Sequence, residues 1–314
     1  MCKVKHNILL LGEALKYFAP RSRALGDLTH VMEELPLSQI PREIVAEAGR
    51  TISDFAIGLV SLRENESEED AELGGSGTLV QIDALHAILT ADHVLHSLPA
   101  THDIGLILAS RHDGDLVPMR PTLKREAVCR VRIARGENES EGPDLGLLLL
   151  SPVDGGALKA RKSFYNLSLH RDELLAKPSG LADGMWLLCG FAGELTVEQN
   201  PDRGCSRVRR FGGACGAGWV QQEYMLGDFD YLQFEAGYGG INVPPQSFGG
   251  FSGAGLWQAG LIRTPDGALT AARPVLSGVA FYESPLRDGR RVITCHGRRS
   301  LYANVVDWVR RNAS

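Results

Sequence analysis

The chain lacks the features that would make several large classes of function easy to recognise. Aromatic residues make up only 7% of its 314 residues, and no apolar run is long enough to span a bilayer. Its net charge of -5 offers no electrostatic case for nucleic acid or an anionic membrane as partner. The two arginine clusters, Arg203–Arg210 and Arg287–Arg299, lie among Gly, Asp and Ser and read as solvated loops. Six cysteines are scattered, and none forms a C-x-x-C pair, so no zinc site is expected. The opening segment, Met1–Asn7 followed by Ile8–Leu11, is broken at once by Gly12, Glu13 and Lys16 and fails as a secretion signal. The expectation is therefore a cytoplasmic protein with reduced thiols.

What is present is an ordinary globular composition, 44% hydrophobic and 23% charged, with 36 glycines. That many glycines imply numerous tight turns and favour a turn-rich β protein over a helical bundle. Residues 1–50 read as a helical extension, with helical spacing over Ile8–Phe18 and Pro41 opening a second helix. The acidic stretch Glu64–Glu72 reads as a solvated hairpin tip. Short β-type runs follow at Gly77–Ile82, Ala87–Thr90, Ile104–Ala109, Ala127–Ala134 and Leu145–Leu150. A connecting stretch, Ser151–Asp183, separates them from a second series between Met185 and Thr294, and Leu301–Arg311 has the spacing of an amphipathic helix. Two groups of strands with helix only at the ends predict an all-β architecture of two barrels or sandwiches.

Three segments carry residues suited to chemistry. In Ala87–Leu95 an apolar strand runs into Thr90-Ala91-Asp92-His93; in Pro143–Leu150 Asp144 immediately precedes an apolar strand; in Phe248–Trp257 Ser252 sits in a glycine-rich turn. Taken singly, each is an ordinary turn or strand-end residue. In the order His, Asp, Ser, these blocks resemble the signature segments of trypsin/chymotrypsin-like serine peptidases. The ending Leu301–Val309 is similar to that family's closing strand and helix.

The resemblance implies two antiparallel β-barrels with a catalytic cleft between them, over residues 51–165 and 166–314. It implies a serine endopeptidase acting on an intracellular protein without a metal or other cofactor. His93 would be general base, Asp144 its orienting acid and Ser252 the nucleophile, with the amides of Gly250 and Ser252 as oxyanion hole. Gln246 would lie at the base of the primary pocket, with Phe281, Tyr282 and Glu283 on its wall, Glu283 narrowing the entrance. A neutral Gln246 predicts an uncharged residue before the scissile bond. The sequence departs from the family's secreted members at Phe251, where an Asp usually receives a newly cut N-terminus, and in lacking cysteines around the His and Ser blocks. Activation by N-terminal trimming is therefore not expected. Asp92, beside the base, is expected either to raise its basicity or to face solvent.

Other readings remain open. Asp103 also precedes an apolar strand, but it follows His93 too soon to be the acid of such a barrel. An esterase using Ser252, Asp288 and His296 lacks the second glycine of its elbow, because Ala254 stands there. The glycines of 237–255 lack the Gly-Lys-Ser/Thr ending of a phosphate loop, so no nucleotide is expected. A catalytically silent, peptidase-like binding module is the non-enzymatic alternative. Residues 1–50 would cover the barrel or dock a regulatory protein.

Overall fold

The computed structural model describes residues 39–64, 69–100, 102–108, 121–138, 140–177, 180–181, 184–199, 208–237, 245, 247–287 and 290–312. The expected helix of Ile8–Phe18 lies outside them. The helix after Pro41 is present as α1, Arg42–Ser53. It buries Ile44, Ala48 and Ile52, one residue per turn, so a single apolar stripe docks it. Glu43 in its first turn and Arg50 in its last complement the helix dipole.

The first sheet is built from β1 (Ala56–Glu64), β2 (Glu69–Ile82), β3 (Leu85–Thr90), β4 (Ile104–Leu108), β5 (Thr122–Leu123), β6 (Val128–Arg135), β7 (Asp144–Leu150) and β8 (Tyr165–Asn166). Its order is β5-β4-β1-β2-β3-β7-β6, with β8 added in parallel to β2. It does not close on itself, so the first of the two expected barrels is an open half-barrel. Of the acidic stretch, β1 and β2 pair out to Glu64 opposite Glu69, and the expected tip at 65–68 lies outside the described residues.

The second unit is a closed barrel in the order β10-β11-β16-β15-β12-β9. Its strands are β9 (Met185–Gln199), β10 (Val208–Leu226), β11 (Phe229–Ala236), β12 (Gly255–Ala259), β15 (Val275–Glu283) and β16 (Val292–His296). A small ribbon, β13 (Leu261–Arg263) with β14 (Leu269–Ala271), projects between β12 and β15. Trp186, Leu188, Phe234, Leu256 and Ala280 fill a cluster inside the barrel. Another cluster runs from α1 through Trp257 and Leu276 to the C-terminal residues Leu301 and Tyr302.

Helix is not confined to the ends. The short α2 (Asp92–Ser97) follows β3, and the connecting stretch holds α3 (Pro152–Lys159) and α4 (Leu167–Ala176). The last two carry N-terminal signals that the apolar pattern alone does not weigh. Ser151 accepts a hydrogen bond from the Asp154 amide with Pro152 at the helix start, and Asn166 accepts one from Leu169. The expected terminal helix is present as a π-helical turn, Ser300–Val305, leading into α5 (Val306–Asn312). Buried Asp230 anchors its start by accepting from the amides of Arg299 (2.8 Å) and Ser300 (2.7 Å).

The reading of Arg287–Arg299 as a solvated loop needs correction. Arg291 pairs with Glu283, Arg290 with Glu235, and the half-buried Arg298 donates to Ser277 and Gln258. Most of the other cluster, Arg203–Arg210, lies outside the described residues. No helix among the described residues is long and apolar enough to cross a membrane.

Candidate active site

His93 and Asp144 come together through the antiparallel pairing of β3 with β7. Thr90 ends β3, Ala91 is extended, and α2 begins at Asp92, which puts His93 one residue inside the helix. Asp144 opens β7 opposite Arg135 of β6. One carboxylate oxygen of Asp144 accepts the His93 backbone N–H at 3.0 Å, and the other lies 2.5 Å from His93 Nδ1. With Asp144 buried and the His93 side chain 33% exposed, this contact places the ring proton on Nδ1 and leaves Nε2 as the free basic nitrogen. Burial pushes the Asp144 carboxyl upward, but the hydrogen bond and charge of His93, helped by Arg135, hold it below the usual carboxylate range. Asp144 is therefore a fixed negative charge. From the other side its own backbone N–H donates to His296 Nε2 at 3.0 Å.

Asp92 neither faces solvent nor points at the base. It is buried, and its carboxylate receives Arg132 at 3.0 Å and Arg135 at 3.3 Å. Asp103 is spent on Lys124 (2.6 Å) and the Arg125 amide (3.2 Å) at the surface. Of the esterase set, Asp288 lies outside the described residues, and His296 is buried behind Asp144.

Ser252 lies in a turn of the closed barrel that is bolted onto the open sheet. Ser76 of β2 donates its amide to the Ser252 carbonyl (2.8 Å) and its hydroxyl to the Gly250 carbonyl (2.7 Å). Thr78 donates to Gly253, whose own amide donates back to Ala280 of β15. Two glycines make this route possible. Gly250 has φ +97° and Gly253 φ +90°, and a Cβ at Gly253 would lie 2.0 Å from the Ser76 carbonyl and 2.1 Å from Thr90 Oγ1. A Cβ at Gly75 would touch both Val94 (2.7 Å) and the Ser252 carbonyl (3.1 Å), so the Ser252 backbone lies beside α2.

The amides of the turn divide into two groups. Those of Gly249, Phe251, Gly253 and Ala254 each donate to an acceptor within the protein. Among the described residues, those of Gly250 and Ser252 have none. Phe251 is buried against Phe248, with ring centres 5.1 Å apart.

Three of the expected pocket residues, Phe281, Tyr282 and Glu283, are consecutive at the end of β15. Gln246 lies outside the described residues. Phe281 is buried against Tyr231 and His296, behind Asp144. Tyr282 lines a cleft of about 680 Å³ with Tyr224, Ser284, Arg287 and Thr294. Glu283, expected to narrow a pocket entrance, pairs with Arg291 (2.7 Å) and accepts the Phe248 amide (3.0 Å), so it is a strut of the Ser252 turn. Among the described residues, no group of three or more His, Cys, Asp or Glu side chains is placed to hold a metal ion.

Sequence reasoning passed over His296 as a neighbour of the acid, and Ser76 and Thr78 as anchors of the Ser252 turn. The Gly-Ser-Gly-Thr run at 75–78 was the available signal: small and hydroxylated residues at consecutive strand positions mark a close backbone approach.

No family model matches the chain, and no curated protein matches it. Among solved structures it is similar to the HtrA-type protease AlgW with decapeptide. The identity is 15%, covering 85% of this chain and 68% of that one, with a TM-score of 0.43. A variant of the same protease with decapeptide gives 14%, 86%, 68% and 0.46. An inactive serine-to-alanine mutant of Rv3671c from M. tuberculosis gives 10% identity, covers 90% of this chain and 99% of that one, and has a TM-score of 0.43. Such distant likenesses carry no function across. The architecture of this chain is an open half-barrel, antiparallel apart from β8, beside a closed six-stranded barrel with a helix at either end, the two-unit β plan expected from the sequence.

Proposed function

We propose that the chain is a serine endopeptidase working through an acyl-enzyme intermediate. The observation that carries this reading is the His93–Asp144 contact at 2.5 Å, made from the same short helix, α2, whose Val94 lies near the backbone of the Ser252 turn. In the proposed reaction His93 Nε2 removes the Ser252 hydroxyl proton as the oxygen attacks a peptide carbonyl. The oxyanion that forms is met by the two partnerless amides, Gly250 and Ser252; losing one such donor typically costs about 3–4 kcal/mol of barrier stabilisation. His93 then protonates the departing amine, and water releases the acyl group by the reverse sequence. Asp144 holds the ring tautomer and offsets the charge of the imidazolium.

The assignment gives residues 51–165 to the unit bearing the base and 166–314 to the unit bearing the nucleophile. Among the described residues, Phe281–Glu283 of β15 lie alongside β16 with no strand paired on their other side, an edge that an extended peptide could join. The unpaired cysteines Cys129, Cys189, Cys215 and Cys295 fit action in a reducing compartment. Phe251 offers no carboxylate to a new N-terminus, which supports activity without N-terminal trimming. A fluorophosphonate probe tests the central claim. Labelling of Ser252 in folded protein, absent from Ser252→Ala and from heat-denatured chain, is the expected result. Failure to label across neutral and alkaline pH, with peptide present or absent, would overturn it.

A further inference from the structure

His296 takes no part in the reaction as written, yet it touches the group that orients the base. It ends β16 fully buried, in register with Tyr231 of β11 and Val279 of β15. Its ring packs against Phe281 (4.7 Å between centres), Tyr231 (5.2 Å) and Phe229 (5.7 Å). Its Nε2 accepts the Asp144 amide at 3.0 Å. A ring nitrogen accepts only when it carries no proton, so the hydrogen of this neutral ring is on Nδ1. That atom is buried with no partner among the described residues, as is the neighbouring Tyr231 hydroxyl.

A stranded N–H in an aromatic nest is costly, and a phenylalanine would remove that cost. What a phenylalanine could not do is accept the Asp144 amide. That bond is also a bridge, because β16 belongs to the closed barrel with the Ser252 turn, while Asp144 opens β7 of the open sheet. We propose that His296 is a positioning residue: by accepting the Asp144 amide it fixes, relative to the barrel that carries Ser252, the carboxylate that orients His93. Asp144 is thereby held at both ends, its amide by His296 and its carboxylate by the His93 amide and ring. The proposal rests on the peptidase reading for its consequence in catalysis, and on geometry alone for its consequence at His93.

The test compares His296→Phe, which keeps the ring and removes the acceptor, with His296→Gln, whose amide oxygen reaches the place of Nε2. In folded His296→Phe, kcat for peptide cleavage should fall about 10- to 100-fold with KM little changed. The proton resonance of His93 Nδ1 should broaden or vanish, and His296→Gln should restore most of both. A folded His296→Phe protein with unaltered kcat and an intact resonance would overturn the proposal. If that variant does not fold, the nitrogen shifts of His296 in the intact protein decide. A bare, accepting Nε2 together with a His93 resonance retained in folded His296→Gln would support it, whereas a proton on Nε2 would end it. Should the intact protein resist the fluorophosphonate while its His93 resonance still depends on His296, the peptidase reading falls and the positioning role stands.

Discussion

The two halves of the molecule hold their candidate residues by different physics. In the open sheet the important contacts are charged: Asp144 with His93, and Asp92 with Arg132 and Arg135. In the closed barrel the Ser252 turn is held chiefly by backbone hydrogen bonds, two glycines of positive φ and buried aromatic rings, with the Glu283–Arg291 pair as a charged brace. The difference follows from the task of each half. A base needs a partner whose fixed charge offsets that of the ring when it gains a proton, whereas a nucleophile and its amides need only to be aimed. The half with the base should therefore be sensitive to charge at constant shape, and the half with the nucleophile to shape at constant charge.

The sharpest way to break that comparison is Asp144→Asn, which preserves shape and removes charge. It should lower kcat on the order of 10⁴-fold with little change in melting temperature. A folded variant with near-normal turnover would show that the open sheet is not organised around that charge, and would remove Asp144 from the proposed machinery.

Gly253→Ala is the converse, adding one methyl group and no charge. Its Cβ would collide with the Ser76 carbonyl and Thr90 Oγ1, and the positive φ adds strain. A loss of about 3–5 kcal/mol in unfolding free energy is expected, together with slower probe labelling. Denaturant unfolding beside labelling rates checks this, and a change under 1 kcal/mol would mean that the turn has slack.

The smallest effect concerns pH, and it crosses between the halves. Burial lowers the pKa of His296 to about 4, against about 6.5 in an unfolded chain. Between those values the unfolded state binds the extra proton, so stability falls as pH drops from about 6.5 toward 4. This one residue contributes up to about 3 kcal/mol to that fall. Burial lowers His86 and His170 in the same direction, so the contribution is isolated by comparison with His296→Phe. Urea midpoints at pH 7 and pH 5 should separate more in the intact protein than in the variant; equal separations would refute the buried-neutral assignment.

Much of the fold was legible locally. Alternating or continuous apolar runs over β3, β7, β11, β15 and β16 match strands because a pleated, half-buried surface selects those residues. Pro41 marked α1, and the spacing after Leu301 marked the terminal helix. The helices α3 and α4 were not legible from apolar spacing, since each buries only two residues and depends on its cap. Closure could not be read either. The strands of the open sheet look like those of the barrel, and closing depends on which edges meet after folding.

The candidate site divides in the same way. The sequence by itself determined which residues have the chemistry: an imidazole after a strand, a carboxylate before one, and a hydroxyl among glycines whose backbone no other residue could follow. The resemblance and the chain spacing pointed to Asp144, but tertiary structure decided what each carboxylate meets, because Asp92, Asp103 and Asp144 are chemically alike and differ in whether arginines, a lysine or His93 lie opposite them. It also decided that Glu283 braces a turn and that His296 stands behind the acid. Those contacts join residues far apart in the chain, and a local pattern holds no record of what the opposite strand will bring.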